Sequence, residues 1–425
     1  MAITEHGHMG SIPDMYFTFK KHGLSPIAGC ELYLNEYEPL RQQIVKAGKK
    51  ISIIKEKSPA LHSRIVRNRH LTVLAKNEVG FHNLVMLTTL AYDFGFYYRP
   101  RIWFDKLCEY KEGLIVLSGC LNGPVAHELR LDFGARDTDG SKVKRQKYTS
   151  TCQDLTGIDY IRKYHKEFGD NYYLEVQMPC LPDIHDYEVF WTLIDIGEEL
   201  GIPAVLTNDS HYIDRASYSL QKIMMAIGQN CTVDSSDLFH VNSDEQYFKT
   251  RAELWATFKN NRYSEKVSDA KFEEICDNTL VIAERCEQLK FDTASKIPDW
   301  STIETGQDAN TELRRIVALE LRRRGFDKNP RKFLIDGREV TYTEQAKIEL
   351  NRFIDKGFAS YFLITRDLLQ HGKRQGWPFG PRGSAGGSLV CFLLNIHSLN
   401  PLLWGLSFDR FLGSSRGGYL LKVNM

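Results

Sequence analysis

Gly201-Ile-Pro-Ala-Val-Leu-Thr-Asn-Asp-Ser-His-Tyr212 is an apolar run that passes into Asn, Asp, Ser and His within a few positions. A short apolar run bounded by Gly and Pro on one side and polar residues on the other predicts a buried strand. Further strands of this kind are predicted upstream, several of them followed by a helical pattern, at 26–34, 69–75, 113–120 and 172–177. This alternation predicts an α/β fold, in the form of a parallel barrel with its chemistry at the C-terminal ends of the strands.

Polar and ionisable side chains recur at these strand ends, namely His6, Glu31, His70, Cys120, Asp209 and His211. Asp209 and His211 are two positions apart, so on a strand both would point to the same face. Imidazole, carboxylate and thiolate together are ligands that zinc or manganese takes. Each residue alone has a plainer reading, because a single His forms surface hydrogen bonds and Cys120 suits a small buried position. Their recurrence at successive strand ends favours a shared metal site.

Composition and charge leave the class of partner open. The chain has 425 residues and a net charge of +1, so two or three domains are expected and any basic surface must be local. No apolar run reaches about 18 residues, which predicts no membrane span. The N-terminus lacks a secretory pattern, and the nine cysteines contain no Cys-x-x-Cys. We therefore expect a cytoplasmic protein with reduced thiols and no membrane partner.

The remaining segments predict helices joined by polar stretches. Residues 37–69 are basic and irregular and predict a hairpin or surface loop, and 131–151 predict a mobile insertion. Helices are expected at 78–94, 186–200, within 248–290 and within 344–371, with a linker at 300–306. An Arg-rich helix at 311–324 has two readings, a face for a phosphate backbone or a solvated surface, and the second is favoured.

The stretch Trp377-Pro-Phe-Gly-Pro-Arg-Gly-Ser-Ala-Gly-Gly-Ser-Leu-Val390 precedes a short apolar helix predicted over 389–396. Glycines let backbone N–H groups converge, and at a helix N-terminus those groups suit a phosphate, with Arg382 as an added cationic donor. The spacing fits neither a P-loop nor a dinucleotide fingerprint. A plain tight turn with a helix cap is an equally good reading of the loop.

Taken together, these stretches resemble the replicative bacterial DNA polymerase III alpha subunits, the C family. Glu5-His-Gly, Gly29-Cys-Glu31, 70–77, Gly95-Phe-Tyr, Leu117-Ser-Gly-Cys120 and 207–212 resemble the family's PHP (polymerase and histidinol phosphatase) domain. Gly357-Phe, 361–364, Arg382-Gly-Ser384 and Phe408-Asp-Arg-Phe-Leu412 resemble the start of its palm. The resemblance implies a distorted (β/α)7 barrel at 1–245 that lacks its first strand, a helical connector at 246–305, and the beginning of an α+β, nucleotidyltransferase-like palm at 306–425.

The resemblance also implies sites. Arg382, Gly383 and Ser384 correspond to the family's nucleotide-binding loop, although Gly-Pro-Arg-Gly-Ser is one residue shorter than the common pattern. The six strand-end residues correspond to PHP metal ligands, for Zn²⁺ or Mn²⁺, while a His-x-His pair and an Asp of the family have no counterpart. The palm aspartates that hold Mg²⁺ for polymerisation also have no counterpart, so no catalytic residue is assigned and the isolated chain is expected to be inactive as a polymerase.

Three functional hypotheses follow from the resemblance. The first is the N-terminal portion of a DNA-directed DNA polymerase, with primer–template DNA, dNTPs and other replisome subunits as partners. Its catalytic aspartates would come from a separate or continuing chain. The second is a metal-dependent 3′–5′ exonuclease or phosphoesterase that uses the PHP domain, and the third is an inactive scaffold.

Overall fold

The computed structural model describes residues 1–132, 155–178, 184–238, 243–260, 264–286, 290–291, 298, 300, 306–378, 380 and 383–413. The chain divides into two compact units, Met1–Phe291 and Asp292–Met425. The insertion expected at 131–151 and the linker expected at 300–306 lie almost wholly outside the described residues.

The first unit is built on one mixed sheet of seven short strands. Along the sheet the order is β1-β2-β3-β5-β6-β7, with β4 beside β2. The strands are β1 (Ala2–Ile3), β2 (Ile27–Leu34), β3 (Arg69–Ala75), β4 (Arg101–Ile102), β5 (Leu114–Leu117), β6 (Tyr172–Gln177) and β7 (Ala204–Thr207).

Helices fill most of the connections between these strands. The first six are α1 (Ile12–Lys21), α2 (Glu38–Lys46), α3 (Ile51–Lys57), α4 (Pro59–Val66), α5 (Glu78–Asp93) and α6 (Phe104–Glu109). The next six are α7 (Pro124–Asp132), α8 (Gly157–Phe168), α9 (Ile184–Leu200), α10 (Tyr218–Gln229), α11 (Arg251–Lys259) and α12 (Asp269–Arg285). The helices expected at 78–94 and 186–200 are confirmed as α5 and α9.

The sheet is curled, so that residues following its two outermost strands approach each other. His6 follows β1 and His211 follows β7, which are the outermost strands in the sheet order, yet the two imidazole ring centroids lie 5.8 Å apart. A flat sheet of this width would separate its end strands by several times the ~4.8 Å spacing of neighbouring strands. The α/β class and the barrel-like sheet expected from the sequence are therefore confirmed.

The expectation of an all-parallel sheet is wrong for β3, which runs antiparallel to both β2 and β5. Residues 37–69 also form the helices α2–α4 rather than a hairpin or loop. The amide of Asn35, one residue after β2, donates to the carbonyls of Arg64 and Arg67 at 3.1 and 2.7 Å. Because these bonds hold both ends of the helical excursion together, the chain re-enters the sheet where it left, which requires an antiparallel strand.

The helices α11 and α12 belong to this first unit and pack on the sheet. The side chain of Asn278 on α12 donates to the carbonyl of Ala204 on β7 at 2.7 Å. Phe258 of α11 stacks on Phe272 of α12 with centroids 4.4 Å apart, and both rings are part of the main hydrophobic core. The first part of the expected connector thus completes the hydrophobic core of the sheet unit. The domain boundaries at 245 and 305 stay a prediction.

The second unit is mainly helical with one hairpin. Its elements are α13 (Ala309–Arg323), β8 (Phe333–Ile335), β9 (Arg338–Val340), α14 (Tyr342–Asp355), α15 (Ala359–Arg374), α16 (Leu389–Leu393) and α17 (Asp409–Leu412). Its own core includes Phe353 stacked on Phe362, with ring centroids 4.0 Å apart. The helix predicted over 389–396 is shorter than expected, because Asn395 adopts a left-handed φ of 58° and the helix ends before it.

Among the described helices, none combines the length and the hydropathy that crossing a bilayer requires.

Candidate metal centre

Glu31 is the centre of a cluster of ionisable side chains on the curled sheet. It lies in the middle of β2, and its side chain is nearly buried. Nδ1 of His6 and Nδ1 of His70 lie 2.9 and 2.6 Å from the same carboxylate oxygen, Oε1 of Glu31. One candidate ligand atom from each of the three residues can be chosen so that all lie within 4.8 Å of one another.

The backbone explains why these residues meet. His6 pairs with Glu31 in an isolated parallel bridge, and the amide of Glu31 donates to the carbonyl of Glu5 at 2.9 Å. His70 is the second residue of β3, which pairs along β2. Parallel extension beyond β1 and antiparallel pairing with β3 thus bring three side chains to one point.

The electrostatics of the cluster favour an ionised carboxylate. Burial alone would raise the pKa of Glu31, but the hydrogen bonds from His6 and His70 outweigh it and lower the pKa to about 2. The same hydrogen bond to Glu31 raises the pKa of His6. A buried carboxylate bonded to two imidazoles is a donor set that a divalent cation fits.

Asp209 and His211 approach the cluster from the other end of the sheet. They do not lie on a strand as expected, because β7 ends at Thr207 and Asp209 has a left-handed φ of 47°. Asp is among the residues that tolerate this conformation. They are nonetheless neighbours, with Oδ1 of Asp209 3.2 Å from Nε2 of His211, and His211 reaches His6.

Cys120, the sixth expected ligand, is buried after β5 and touches the cluster. Its Sγ lies 3.6 Å from Nδ1 of His70. Burial raises the pKa of this thiol well above its usual value, so without a cation it is protonated. The structure therefore brings all six predicted residues into one neighbourhood, with Glu31, His6 and His70 in direct contact.

Several residues that position the site were missed from the sequence. Asn208 donates to the carbonyl of Tyr247 at 2.8 Å, and the amide of His211 donates to the carbonyl of Gln246 at 2.8 Å. Gln246 also donates through its side chain to Asp209 at 3.3 Å. Segment 245–247 thus fixes the 208–211 loop. The only local signal was the polar run after β7, which does not identify a partner nearly 40 residues away.

The Gly-rich loop belongs to the second unit. Arg382 lies outside the described residues, whereas Gly383, with a left-handed φ of 72°, and Ser384 are exposed. Their roles in nucleotide binding stay predictions.

The amides that begin α16 are occupied from within the protein. Leu389 N–H and Val390 N–H donate to the two carboxylate oxygens of Glu349 at 3.0 and 2.9 Å, and the Ser388 hydroxyl donates to it at 2.7 Å. An internal carboxylate thus satisfies the donors of this helix N-terminus, which favours the helix-cap reading for residues 388–390. A phosphate at this loop would have to be bound by the residues that precede Ser388.

The Arg-rich helix is partly neutralised by its own acids. Arg315 and Arg323 pair with glutamates three positions earlier, at 2.6 and 2.8 Å, and Arg324 bonds Asn395 at 2.7 Å. Guanidinium groups that are paired with glutamates attract a phosphate backbone less strongly. This favours the interpretation of α13 as a solvated surface helix.

Comparisons with known proteins match both units. Residues 1–179 match the model of the PHP domain, and residues 311–419 match the model of the bacterial DNA polymerase III alpha NTPase domain. DNA polymerase III subunit alpha of Borreliella burgdorferi is 30% identical over 418 residues, which are 98% of this chain and 31% of that protein. The proteins of the same name from Campylobacter jejuni and Mycobacterium leprae are each 30% identical, over 436 and 421 residues, covering 98% of this chain and 32% of their own length. The chain thus spans about a third of the length of these relatives.

Proposed function

We propose that the chain is the N-terminal portion of a DNA-directed DNA polymerase. It carries a PHP domain, and it is homologous to DNA polymerase III alpha subunits over about a third of the length of those subunits. The observation that carries the proposal is that the similarity covers 98% of the chain, across both units. Its substrates would be primer–template DNA and dNTPs, with other replisome subunits as further partners. A separate or continuing chain would supply the carboxylates that bind Mg²⁺.

In this proposal the loop around Gly383 and Ser384 handles the nucleotide. Both residues face solvent, and the left-handed φ of Gly383 is one that a residue with a Cβ rarely adopts. The Arg382 guanidinium and the Ser384 hydroxyl would donate to triphosphate oxygens. Glu349 would act indirectly, because it accepts hydrogen bonds from residues 388–390, which come directly after the loop.

Nucleotide binding to the whole chain tests this assignment. A fluorescent dNTP analogue titrated with Mg²⁺ should bind, and Arg382→Ala should weaken it about tenfold or more, because a charge-assisted hydrogen bond contributes about 1.5–3 kcal/mol. Arg322→Ala, an exposed arginine on α13, is the matched control and should bind as the wild type does. Equal affinity of the wild type and both variants for the nucleotide would contradict nucleotide binding by this loop.

A second function, metal-dependent phosphoester hydrolysis at 3′ ends, is favoured by the Glu31 cluster. His6, Glu31 and His70 would hold Zn²⁺ or Mn²⁺, with Cys120, Asp209 and His211 beside them. Such a cation polarises a phosphoryl group and lowers the pKa of a bound water. In the hydrolysis, water oxygen bonds to phosphorus and loses a proton, the bond from phosphorus to the departing sugar oxygen breaks, and that oxygen takes up a proton. His211, oriented by Asp209, would carry that proton.

Trimming of a single-stranded oligonucleotide in Mn²⁺ or Zn²⁺ tests this second function. His211→Ala and chelation should each abolish it, whereas His82→Ala, an exposed histidine on α5, should leave it unchanged. Equal trimming by wild type, His211→Ala and the chelated protein would attribute the activity to another source.

A further inference from the structure

Four aromatic side chains lie exposed within seven residues where α5 ends, and we call this set the aromatic turn. Its members are Tyr92, Phe94, Phe96 and Tyr98, exposed to 48, 62, 53 and 78%. Burial of an aromatic ring is normally favourable in free energy. Several aromatic rings exposed side by side therefore indicate a surface that binds a ligand. Neither the metal centre nor the Gly-rich loop uses them.

The turn is held in shape by its surroundings. Gly95 packs so closely that a Cβ there would lie 1.8 Å from the carbonyl oxygen of Arg101. Gln42 donates to the carbonyl of Phe94 at 2.9 Å. The Tyr92 and Phe96 rings stack with centroids 6.0 Å apart. The exposed rings are therefore arranged on a fixed backbone, which lowers the entropic cost of binding to them.

The turn continues directly into the metal centre through Arg99 and Tyr33. The Arg99 guanidinium lies 5.9 Å from the centroid of the Tyr33 ring. That ring in turn lies 6.2 Å from His6 and 5.3 Å from His70. Arg99 and Tyr33 therefore form a continuous path of side chains from the aromatic turn to His6 and His70.

We propose that the aromatic turn stacks the nucleobases of a single-stranded nucleic acid, with Arg99 on its phosphate and its 3′ end at the Glu31 cluster. Ring faces bind bases of any sequence, and a cation beside them suits the backbone. The exposed charges in 92–99 are Asp93 and Arg99, and Arg99 is the one on the side of the metal centre. The direction of the strand rests on the second proposed function, whereas the stacking itself does not.

Photo-crosslinking locates the bases directly. A short oligothymidylate with 5-iodouracil at or next to its 3′ end is irradiated with the whole chain in chelator, so that no hydrolysis is needed. The crosslinked peptide should contain residues of 92–98. Crosslinks confined to other parts of the chain would overturn the proposal.

The second measurement is the affinity of the protein and its variants for the same oligonucleotide without iodine. Tyr98→Ala and Phe94→Ala should each weaken binding about tenfold, since stacking on an aromatic ring accounts for a loss of this order per base. Both side chains are exposed, so the fold should persist, and Met224→Ala, 57% exposed on α10, is the control for removing exposed apolar surface. Wild-type affinity in both ring variants would overturn the proposal and leave the turn to a protein partner. Lost binding in them with no hydrolysis by the wild type would support the turn and reject the second proposed function.

Discussion

Glu31 and Glu175 are both buried carboxylates, and they differ because their hydrogen-bond donors differ. Glu31 has two imidazole partners, and its pKa is lowered to about 2 in spite of burial. Glu175, on β6, accepts from the Thr207 hydroxyl at 2.9 Å and also has a hydrogen bond with the Thr72 side chain, and burial raises its pKa to about 7. The chemistry of each position is thus set by neighbours from other strands.

The raised pKa of Glu175 predicts a pH dependence of stability. Because the folded pKa lies above the unfolded one, the protonated side chain contributes stability below about pH 4.5, and this contribution is lost as the pH rises to about 7. In chelator, wild type should lose about 3 kcal/mol of unfolding free energy relative to Glu175→Gln between pH 4.5 and 8. Urea unfolding across this range measures it, with the exposed Glu284→Gln as the control for charge removal. A difference that stays constant with pH contradicts the assignment.

Glu349 is a third buried carboxylate, with a structural task. It accepts from the Ser388 hydroxyl, from two amides of α16, and from the Gln345 side chain at 2.8 Å. It thereby links α14 to the end of the Gly-rich loop.

Replacing Glu349 by Gln should destabilise the second unit by about 2–4 kcal/mol, because the new NH2 group faces donors in a buried site. The size of the side chain hardly changes, so a cavity does not explain the loss. Chemical unfolding compares it with Glu339→Gln, an exposed residue of β9, which should stay within about 0.5 kcal/mol of wild type. Similar midpoints for both variants would show that Glu349 does not hold the loop.

At the level of single residues, the sequence indicated which residues belong to the candidate site better than it indicated their hydrogen-bond partners. The six candidate residues were selected as polar positions around the apolar strands, but the expectation that they lie at strand ends is wrong for Glu31, which lies within β2, and for His70, which lies near the start of β3. Glu349 could not be identified, since its partners in 388–390 are about 40 positions away and a glutamate on a helix is usually taken for a surface residue. The left-handed Asp209 could not be predicted either, because its conformation depends on bonds from 245–247 to the loop.

Among the elements, α5 lies unusually close to the turn that precedes β5. It begins at an Asn77 cap, whose side chain accepts from the amide of Gly80 at 2.9 Å. A Cβ on Gly80 would lie 1.8 Å from the carbonyl oxygen of Gly113, which precedes β5. The contact between α5 and the sheet therefore depends on a glycine.

Gly80→Ala should cost about 2 kcal/mol or more, since backbone must move to admit the methyl group. Gly228→Ala, inside α10 with nothing within 4 Å of its Cβ position, should instead be neutral or stabilising by up to about 1 kcal/mol. Thermal unfolding of the two variants measures this difference. Equal effects of the two substitutions would contradict the close approach.

Most element types were predicted from periodicity, with 37–69 as the exception, and the strand directions were not predicted. The strands and α5 followed from their patterns, whereas the antiparallel β3 depends on Asn35 closing a helical excursion. Such a closure is a contact between residues about 30 positions apart, and no local pattern encodes it.

For the whole molecule, the chain has two units with separate cores, and the two proposed functions are assigned to different units. The motifs that resemble the PHP domain and those that resemble the palm lie in different units, whereas the expected boundaries at 245 and 305 stay a prediction. The aromatic turn was visible only as the short motif Gly95-Phe-Tyr, and its exposure could be learned only from the fold.

Primer extension tests the central claim most directly. The whole chain is mixed with a polypeptide that carries the palm carboxylates, and supplied with primed template, dNTPs and Mg²⁺. Extension should require both polypeptides, fall with Arg382→Ala and persist with Arg322→Ala. A stable, stoichiometric complex of the two that binds the primed template and does not extend it would contradict the proposed polymerase function.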